Sequence, residues 1–316
     1  MQPLSTIGVI GVGHVGAHVA SQLISRQVCD QLILLDSDTA KLAAQAQDLA
    51  DSAAFTRQTV RVKAGSYADL ADADLIVVSA SGPLFREDRL EELADNLLVM
   101  DEIIAGLKAI HYRGLLIAIT NPCDVIARYL AEHSGCTVIG TGTLLDSARF
   151  RAALARETGV AVQSIQAYCL GEHGDSQVLA WSRVSLMGLP LAELAVQDPP
   201  RFGQLDRAAI TREVVGAGWQ IVLGKGATEF GIGAATAELA LAILHDEQRI
   251  LPCSVALPGA EGESPVYASV PCLIGRQGLV QILPLALDGA EQQAFAASCA
   301  RLRSVYPSMP NHNRES

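Results

Sequence analysis

The sequence predicts an α/β fold, with an N-terminal domain on a doubly wound parallel sheet and a C-terminal domain of mixed α+β structure. In the first half, apolar segments of strand length alternate with helical segments, which is typical of a parallel sheet covered by helices on both faces. After about Gly142 this alternation ends. A chain of 316 residues has room for two domains. We therefore expect domains over residues 1–142 and 143–316.

The first half begins with a short apolar segment, a glycine-rich turn and an amphipathic segment that ends near Ser25. Further strands are predicted at LILL (32–35), VRVKAG (60–65), DLIVVSAS (74–81) and GLLIAIT (114–120). Helices are predicted at TAKLAAQAQDLADSA (39–53) and LEELADNLLVMDEIIAGLKAI (90–110). Segments such as LILL are apolar at successive positions, so both faces of these strands should be buried.

The second half combines helices with antiparallel strands. Helices are predicted at TLLDSARFRAALARETG (143–159), at EQQAFAASCARLRSVY (291–306), and on both sides of a break near Gly224 within 207–245. The segment IQAYCLGEHGD (165–175) should be a strand that enters a loop. Antiparallel strands are predicted at CSVALPG (253–259), VYASVPCLIG (266–275) and LVQILPL (279–285).

Composition restricts the class of partner. The formal net charge of −11 argues against nucleic acid or an anionic membrane, since both need a basic surface. Seven dispersed cysteines without a C-x-x-C pair indicate reduced thiols in the cytoplasm, and neither a disulfide framework nor a zinc or other metal site. The first residues lack the basic start of a signal peptide, and no apolar stretch has membrane-spanning length. We expect a soluble, cytoplasmic, globular enzyme or binding protein.

The glycine-rich turn predicts a dinucleotide site. Gly11, Gly13 and Gly16 form G-x-G-x-x-G at the first strand–helix turn, where glycines permit a tight turn and close approach of a pyrophosphate to the backbone. Asp36 follows 20 residues later, at the end of the second strand, where a carboxylate suits a ribose diol and repels a 2′-phosphate. The motif therefore predicts a Rossmann domain that binds NAD in preference to NADP. Further cofactor contacts are expected from His14, Val15 and Ser81.

A histidine in the stretch LGEHGDSQ is the candidate for proton transfer. His173 has glycines and carboxylates around it, and an imidazole titrates near neutral pH. Asp146 and Arg149 lie one helical turn apart, so both can face one cleft, where the carboxylate could orient His173 and the guanidinium could grip a substrate carboxylate. Two plainer interpretations stay open on spacing alone: a loop histidine that only satisfies backbone groups, and a solvated ion pair.

Several motifs together resemble the lactate and malate dehydrogenase superfamily. They are GVGHVG, LILLD, NPCDV, GTGTLLDSARFR, LGEHGDSQ, GKGAT and CLIGRQG, which occur in the superfamily's order over nearly the whole chain. Within the superfamily, GTGTLLDSAR, LGEHGDSQxxAWS and GKGAT are most similar to L-2-hydroxyisocaproate dehydrogenase, a relative of L-lactate dehydrogenase.

The resemblance implies a role for each matching residue. His173 matches the catalytic acid/base, Asp146 its carboxylate partner and Arg149 the arginine that binds the substrate carboxylate. Arg89 matches the mobile-loop arginine that polarises the carbonyl, with Arg86 as an alternative. The remaining matches are Asn121, beside the reacting carbonyl and the nicotinamide ribose, and Thr228, in the substrate pocket. The family also implies a homodimer or homotetramer.

The loop from Ser81 to Arg89 departs from the common pattern and is about one residue shorter. Pro83 stands where malate dehydrogenases place an arginine, and Leu84 and Phe85 offer apolar surface to the substrate. The expected activity is therefore that of an NAD-dependent L-2-hydroxy acid dehydrogenase acting on 2-oxo acids with apolar side chains. Malate dehydrogenase activity through Arg86 and a catalytically silent NAD-binding protein are the alternatives.

The superfamily also contains enzymes that are regulated by fructose bisphosphate through an arginine and a histidine. Arg151 matches the arginine, but Gln166 stands at the position of the histidine. Control of this chain by that sugar phosphate is therefore not expected.

Overall fold

The structure is a computed structural model that describes residues 4–82, 89–259 and 265–306. In its N-terminal half, parallel strands alternate with helices, as the sequence predicts. The strands are β1 (Thr6–Ile10), β2 (Gln31–Leu35), β3 (Arg61–Ala64), β4 (Leu75–Val78), β5 (Leu115–Ala118) and β6 (Thr137–Gly140). The helices are α1 (His14–Ser25), α2 (Thr39–Ala53), α3 (Arg89–Ala109) and α4 (Cys123–Ser134).

These strands run parallel in the order β3-β2-β1-β4-β5-β6, which is the doubly wound arrangement. Alternate residues of β2 show why its sequence is apolar throughout. Leu32 and Leu34 pack into the core on one face of the sheet, and Ile33 and Leu35 pack into the core on the other. Both faces are thus buried, and the predicted fold class is confirmed.

The C-terminal half contains helices, very short strands and an antiparallel unit. The helices are α5 (Leu144–Thr158), α6 (Leu191–Gln197), α7 (Pro199–Phe202), α8 (Arg207–Lys225), α9 (Phe230–Leu244) and α10 (Gly289–Val305). The short strands are β7 (Ile165–Gln166), β8 (Cys169–Leu170), β9 (Val178–Leu179), β10 (Ser185–Leu186) and β11 (Leu189–Pro190). The antiparallel strands are β12 (Arg249–Leu257), β13 (Val266–Gly275) and β14 (Gly278–Ile282).

The antiparallel strands extend the parallel sheet. Strand β12 pairs with β6 through Ser254 and Gly140, so the sheet continues in the order β14-β13-β12-β6-β5-β4-β1-β2-β3. A Cβ on Gly140 would lie 2.9 Å from the Cβ of Ser254, so the absence of a side chain at residue 140 allows the two strands to meet. The division at residues 142 and 143 stays a prediction, because one sheet spans it.

Helix α9 brings the second half against the cofactor-binding turn. It packs on α1, and Ala237 and Ala240 of α9 share one apolar core with Val19 and Leu23 of α1. The small alanine side chains allow the two helices to approach closely. Elements of both halves therefore lie together at the candidate site.

The cysteines are all within the described ranges, where each is buried and none forms a disulfide. None of the helices in the described ranges is both long enough and apolar enough to span a bilayer.

Candidate active site

The turn between β1 and α1 has a backbone shape that requires glycine at two positions. Gly11 has a φ of +89°, and a Cβ on it would lie 2.4 Å from the backbone of Ala80. A Cβ on Gly16 would lie 1.8 Å from the carbonyl oxygen of Gly11. Ser79, at the end of β4, donates a hydrogen bond from Oγ to the same oxygen at 2.6 Å. The loop is thus packed tightly against β4.

The middle glycine of the motif faces space. A Cβ on Gly13 would have no described heavy atom within 4 Å, and α1 begins at the next residue, His14, with no side-chain cap among the described residues. The first N–H groups of α1 and the positive end of its dipole are therefore presented to that space, which suits a pyrophosphate. This arrangement fits the phosphates of a dinucleotide. His14 itself is exposed, with Nδ1 3.1 Å from Oε1 of Glu229.

Asp36 follows directly after β2 and is held on both carboxylate oxygens. Oδ2 accepts a hydrogen bond from the N–H of Val12 at 2.9 Å, and Oδ1 accepts one from the N–H of Asp38 at 3.0 Å. The Nζ of Lys41 lies 3.1 Å from Oδ1. Burial raises the pKa of Asp36, but these hydrogen bonds and Lys41 outweigh it, so the pKa lies below its ordinary value. An ionised, fixed carboxylate beside the glycine turn fits a ribose diol.

The three central residues form one bonded cluster. Asp146 lies in the first turn of α5 with only 2 % of its side chain exposed. Its Oδ2 lies 2.6 Å from Nδ1 of His173, and its Oδ1 accepts a hydrogen bond from a terminal nitrogen of Arg149 at 2.9 Å. The side chains of His173 and Arg149 are 27 % and 16 % exposed. The i,i+3 pair is therefore a buried link to the histidine, and not a solvated ion pair.

This cluster favours the charged form of the histidine. Burial lowers the pKa of His173, but the charge of Asp146 and its hydrogen bond, with a smaller contribution from Asp124, outweigh burial and raise the pKa. Burial raises the pKa of Asp146, but His173 and Arg149 lower it by more. The pKa therefore lies below its ordinary value, and the carboxyl stays ionised. An imidazolium held by a carboxylate on Nδ1 can donate a proton from Nε2.

The loop that carries His173 is fixed by the last helix. It leaves β8 through Gly171, whose φ is +84° and whose Cβ would lie 2.6 Å from Oγ of Ser298 in α10. That hydroxyl accepts a hydrogen bond from the N–H of Glu172 at 2.8 Å. Oε2 of Glu172 in turn accepts hydrogen bonds from Ser176, from N–H at 3.1 Å and from Oγ at 2.5 Å. The histidine thus lies on a short, internally bonded loop.

Sequence reasoning missed one residue at this site. Asp124, in the first turn of α4, is 2 % exposed, and its Oδ2 accepts a hydrogen bond from the N–H of His173 at 2.7 Å. The signal was present in NPCDV, where a carboxylate follows closely on an apolar strand that ends at the sheet's carboxyl edge. Only the fold shows that this edge lies beside residue 173.

Other predicted site residues lie around the cluster of Asp146, His173 and Arg149, and the structure describes their burial or a few of their contacts. Asn96 of α3 accepts a hydrogen bond from the N–H of Gly82 at 2.7 Å and donates one to the carbonyl oxygen of Asn121 at 2.8 Å, which ties together the ends of β4 and β5. Ser81 is exposed, and Thr228 is half-buried between α8 and α9. Val15 is half-buried in α1.

The predicted residues between Pro83 and Arg89 fall at the edge of the described part. Arg89 is the first residue of α3, but its side chain lies outside the described residues. Pro83, Leu84, Phe85 and Arg86 also lie outside them. The predicted roles of these residues remain predictions.

Known proteins match this chain over nearly its whole length. Residues 5–138 match the model of the lactate/malate dehydrogenase NAD binding domain, and residues 143–309 match that of the lactate/malate dehydrogenase alpha/beta C-terminal domain. L-lactate dehydrogenase of Fusobacterium nucleatum is 37 % identical over 94 % of both chains. L-lactate dehydrogenase 3 of Bacillus cereus is 36 % identical over 94 % of this chain and 95 % of its own.

A solved structure gives the same result. The minor L-lactate dehydrogenase of Enterococcus mundtii, in its ligand-bound form, superposes with a TM-score of 0.92 at 31 % identity, over 98 % of this chain and 99 % of its own. Fold, site and relatives define the class as NAD-dependent oxidoreductases of 2-hydroxy acids. Within that class, the chain belongs to the lactate/malate dehydrogenase family.

The geometry of Asp36 leads to a prediction about the cofactor. The kcat/KM of the enzyme should be higher with NADH than with NADPH by at least about tenfold, since a fixed carboxylate repels a 2′-phosphate. Asp36→Ser should narrow this ratio, because Lys41 would then be left without its carboxylate partner. Asp38→Asn is the matched control, since it removes a charge two residues away and keeps a helix-capping side chain. Equal use of both cofactors by the unmodified enzyme would contradict the assignment of Asp36.

Proposed function

We propose that this protein is an L-2-hydroxy acid dehydrogenase that interconverts 2-oxo acids with apolar side chains and their 2-hydroxy acids, of the lactate or hydroxyisocaproate type. The observation that supports it most is the single buried carboxylate, Asp146, that bonds both His173 and Arg149. Such a bridge fixes a proton donor and a carboxylate-binding cation at one separation. A 2-oxo acid needs these two groups at a fixed separation, because its reacting carbonyl is adjacent to its carboxylate.

The chain's own groups suit the steps that surround hydride transfer. NADH supplies the hydride when it is bound. His173, as an imidazolium, donates a proton from Nε2 to the carbonyl oxygen, on which negative charge develops. Asp146 holds the imidazole by Nδ1 and stabilises its charge. Arg149 has nitrogen atoms beyond the one bonded to Asp146 and can hold the substrate carboxylate with them. Arg89 is proposed to polarise the carbonyl from the start of α3.

The preference for apolar substrates is supported by the loop sequence. Leu84 and Phe85 are apolar, and Pro83 stands where malate dehydrogenases carry a cation in the resemblance drawn above. An apolar wall would leave the second carboxylate of oxaloacetate without a partner, and an unpaired buried charge is costly. The relatives named above are L-lactate dehydrogenases, which also act on a monocarboxylate.

A panel of 2-oxo acids with NADH tests the proposal. We expect 2-oxoisocaproate, phenylpyruvate and pyruvate each to exceed oxaloacetate in kcat/KM. Each fully buried methylene should add about 0.8 kcal/mol, or about fourfold. The opposite ranking, with oxaloacetate first, would overturn the apolar-substrate proposal and favour malate dehydrogenase activity. Arg86→Ala should then abolish the preference for oxaloacetate.

We also propose a homodimer or homotetramer in the cytoplasm. Trp219 and Leu223, one turn apart on α8, are 50 % and 83 % exposed, and Phe55 after α2 is 92 % exposed. Large apolar side chains in such positions are typical of subunit interfaces. Buried cysteines that form no disulfide within the described ranges are expected in a reducing compartment.

A further inference from the structure

Two carboxylates, and not one, hold the residue proposed for proton transfer. Asp146 of α5 binds the ring of His173, while Asp124 of α4 accepts a hydrogen bond at 2.7 Å from its backbone N–H. The two carboxylates approach from different helices. Asp124 is about as buried as Asp146. No salt bridge that the structure describes joins it to a lysine or arginine.

The second oxygen of Asp124 is unusual. Oδ1 is buried, as is Oγ of Ser254 in β12, and neither makes a hydrogen bond of normal geometry within the described ranges. Burial raises the pKa of Asp124 to about 6, although Ser254 and the N–H of His173 lower it. An ionised carboxylate with a free oxygen in such a place costs free energy, so a reason for it is to be sought in its surroundings.

The surroundings are mixed in charge. His173 is faced by Asp146 and Arg149 from α5 and by Asp124 from α4. Asp124 is faced by Glu172 and His173 from the loop and by Cys123 from its own helix. It also lines a cavity of about 10 Å³, close to the size of one water, together with Arg128, Tyr267 and Tyr306. Arg301 of α10 lies 3.4 Å from Glu172.

We propose that Asp124 is a second positioning carboxylate for His173: its Oδ2 fixes the backbone of the histidine, and its negative charge favours the imidazolium that donates the proton. This inference rests on the proposed role of His173. Asp124 does not touch the substrate and acts through the histidine alone. Its two contributions can be separated, because an amide oxygen at residue 124 would keep the hydrogen bond and lose the charge.

The sign of the effect follows from the charge. With Asp124 ionised, the protonated form of His173 is stabilised, so loss of that charge must lower the pKa of the imidazole. Reduction of a 2-oxo acid needs the protonated histidine. As the pH is raised, the rate of reduction should therefore begin to fall at a lower pH than in the parent enzyme. Oxidation of the 2-hydroxy acid needs the neutral histidine. As the pH is raised, the rate of oxidation should therefore begin to rise at a lower pH than in the parent enzyme. General structural damage would lower both rates together.

The test is Asp124→Asn, with the pKa of His173 followed by NMR on ring-labelled histidine in the NADH-bound enzyme. The His173 signal is assigned by its loss in His173→Asn. We expect the pKa to fall by about one pH unit. At pH values above the parent's pKa, kcat/KM for reduction should be about tenfold lower in the variant than in the parent enzyme. At pH values below the variant's pKa, kcat/KM for oxidation should be about tenfold higher. Asp124→Ala should have a lower kcat/KM than Asp124→Asn for both reduction and oxidation, because it also removes the hydrogen bond.

The matched control is Glu132→Gln, which removes one negative charge two turns further along α4, where the Glu132 side chain is 40 % exposed. It should leave the pKa of His173 unchanged. An unchanged pKa in a folded Asp124→Asn enzyme overturns the inference, even if His173→Asn is inactive. An active His173→Asn enzyme would overturn the proposed function instead.

A second variant covers the case in which Asp124→Asn does not fold. Ser254→Ala removes the hydroxyl that lowers the pKa of Asp124, so less of that carboxylate is ionised near pH 6. The pKa of His173 should then fall in the same direction by a smaller amount. No change, or a rise, contradicts the proposal.

Discussion

Replacement of His173 by asparagine should lower kcat for reduction of 2-oxo acids by at least about 100-fold, the lower end of the range for general acid catalysis. Asparagine keeps a polar side chain of similar length but has no group that titrates near neutral pH. NADH affinity should change little, since the glycine turn and Asp36 lie on other elements. Stopped-flow reduction assays and fluorescence titration with NADH measure the two quantities separately.

His111 provides the matched control for this substitution. It is exposed, lies in the turn just after α3 and has a φ of 56°, a left-handed conformation that asparagine tolerates well. His111→Asn should therefore keep full activity and stability. Turnover by His173→Asn within a few-fold of the parent enzyme would show that the histidine is structural, and the pair Asp146–His173 would then be only a loop anchor.

The fold could be predicted from sequence where elements are long and apolar. The predicted strand LILL corresponds to β2, and the helix predicted at 39–53 coincides with α2. Hydrophobic periodicity decides such elements locally, because burial on one or both faces fixes the pattern. The break near Gly224 is found two residues later, where Gly226 follows the last residue of α8 with a φ of +90°.

Short elements could not be predicted, since tertiary pairing decides them. The segment 165–175 is predicted as one strand that enters a loop, but in place of that strand it forms β7 and β8, which belong to different sheets. Each has two residues and is defined by its pairing with another short strand, β7 with β10 and β8 with β9. Helix α4 is absent from the predicted elements, although Pro122 directly before it is typical of a helix start.

The site divides in the same way. Gly11, Gly16 and Asp36 could be identified because their chemistry is written in one short stretch and its fixed spacing. The bridge from Asp146 to His173 spans 27 residues of sequence, and only the resemblance to a family predicts it. Asp124 lies 49 residues from His173. Its place after a strand at the carboxyl edge of the sheet could mark it as a site residue, but only the fold shows that its carboxylate meets the backbone of His173.

Arg149 is proposed to bind the substrate carboxylate, and its replacement is the second large effect that we expect. Arg149→Gln should lower kcat/KM for 2-oxo acids by at least about 30-fold, since loss of one partner of a buried charge pair costs about 2–5 kcal/mol. Most of the loss should appear in KM, because the carboxylate is held equally before and during hydride transfer. Arg149→Lys should fall between, since it keeps the charge but not the planar fork.

The effect cannot come from a loss of protons on His173. The positive charge of Arg149 lowers the pKa of His173, so its removal raises that pKa and leaves the histidine more fully protonated. Arg156→Gln is the matched control on the same helix, where the Arg156 side chain is 56 % exposed and pairs with Glu213. It should leave kinetics unchanged.

A neutral substrate separates carboxylate binding from general damage to the site. The parent enzyme should prefer 2-oxoisocaproate over its methyl ester, and Arg149→Gln should lose most of that preference, because the ester has no charge for the guanidinium to hold. Damage to the pair of Asp146 and His173 would instead lower both rates and leave their ratio intact. An unchanged ratio in Arg149→Gln would place the carboxylate elsewhere and leave Arg149 with the single role of fixing Asp146 through the 2.9 Å hydrogen bond.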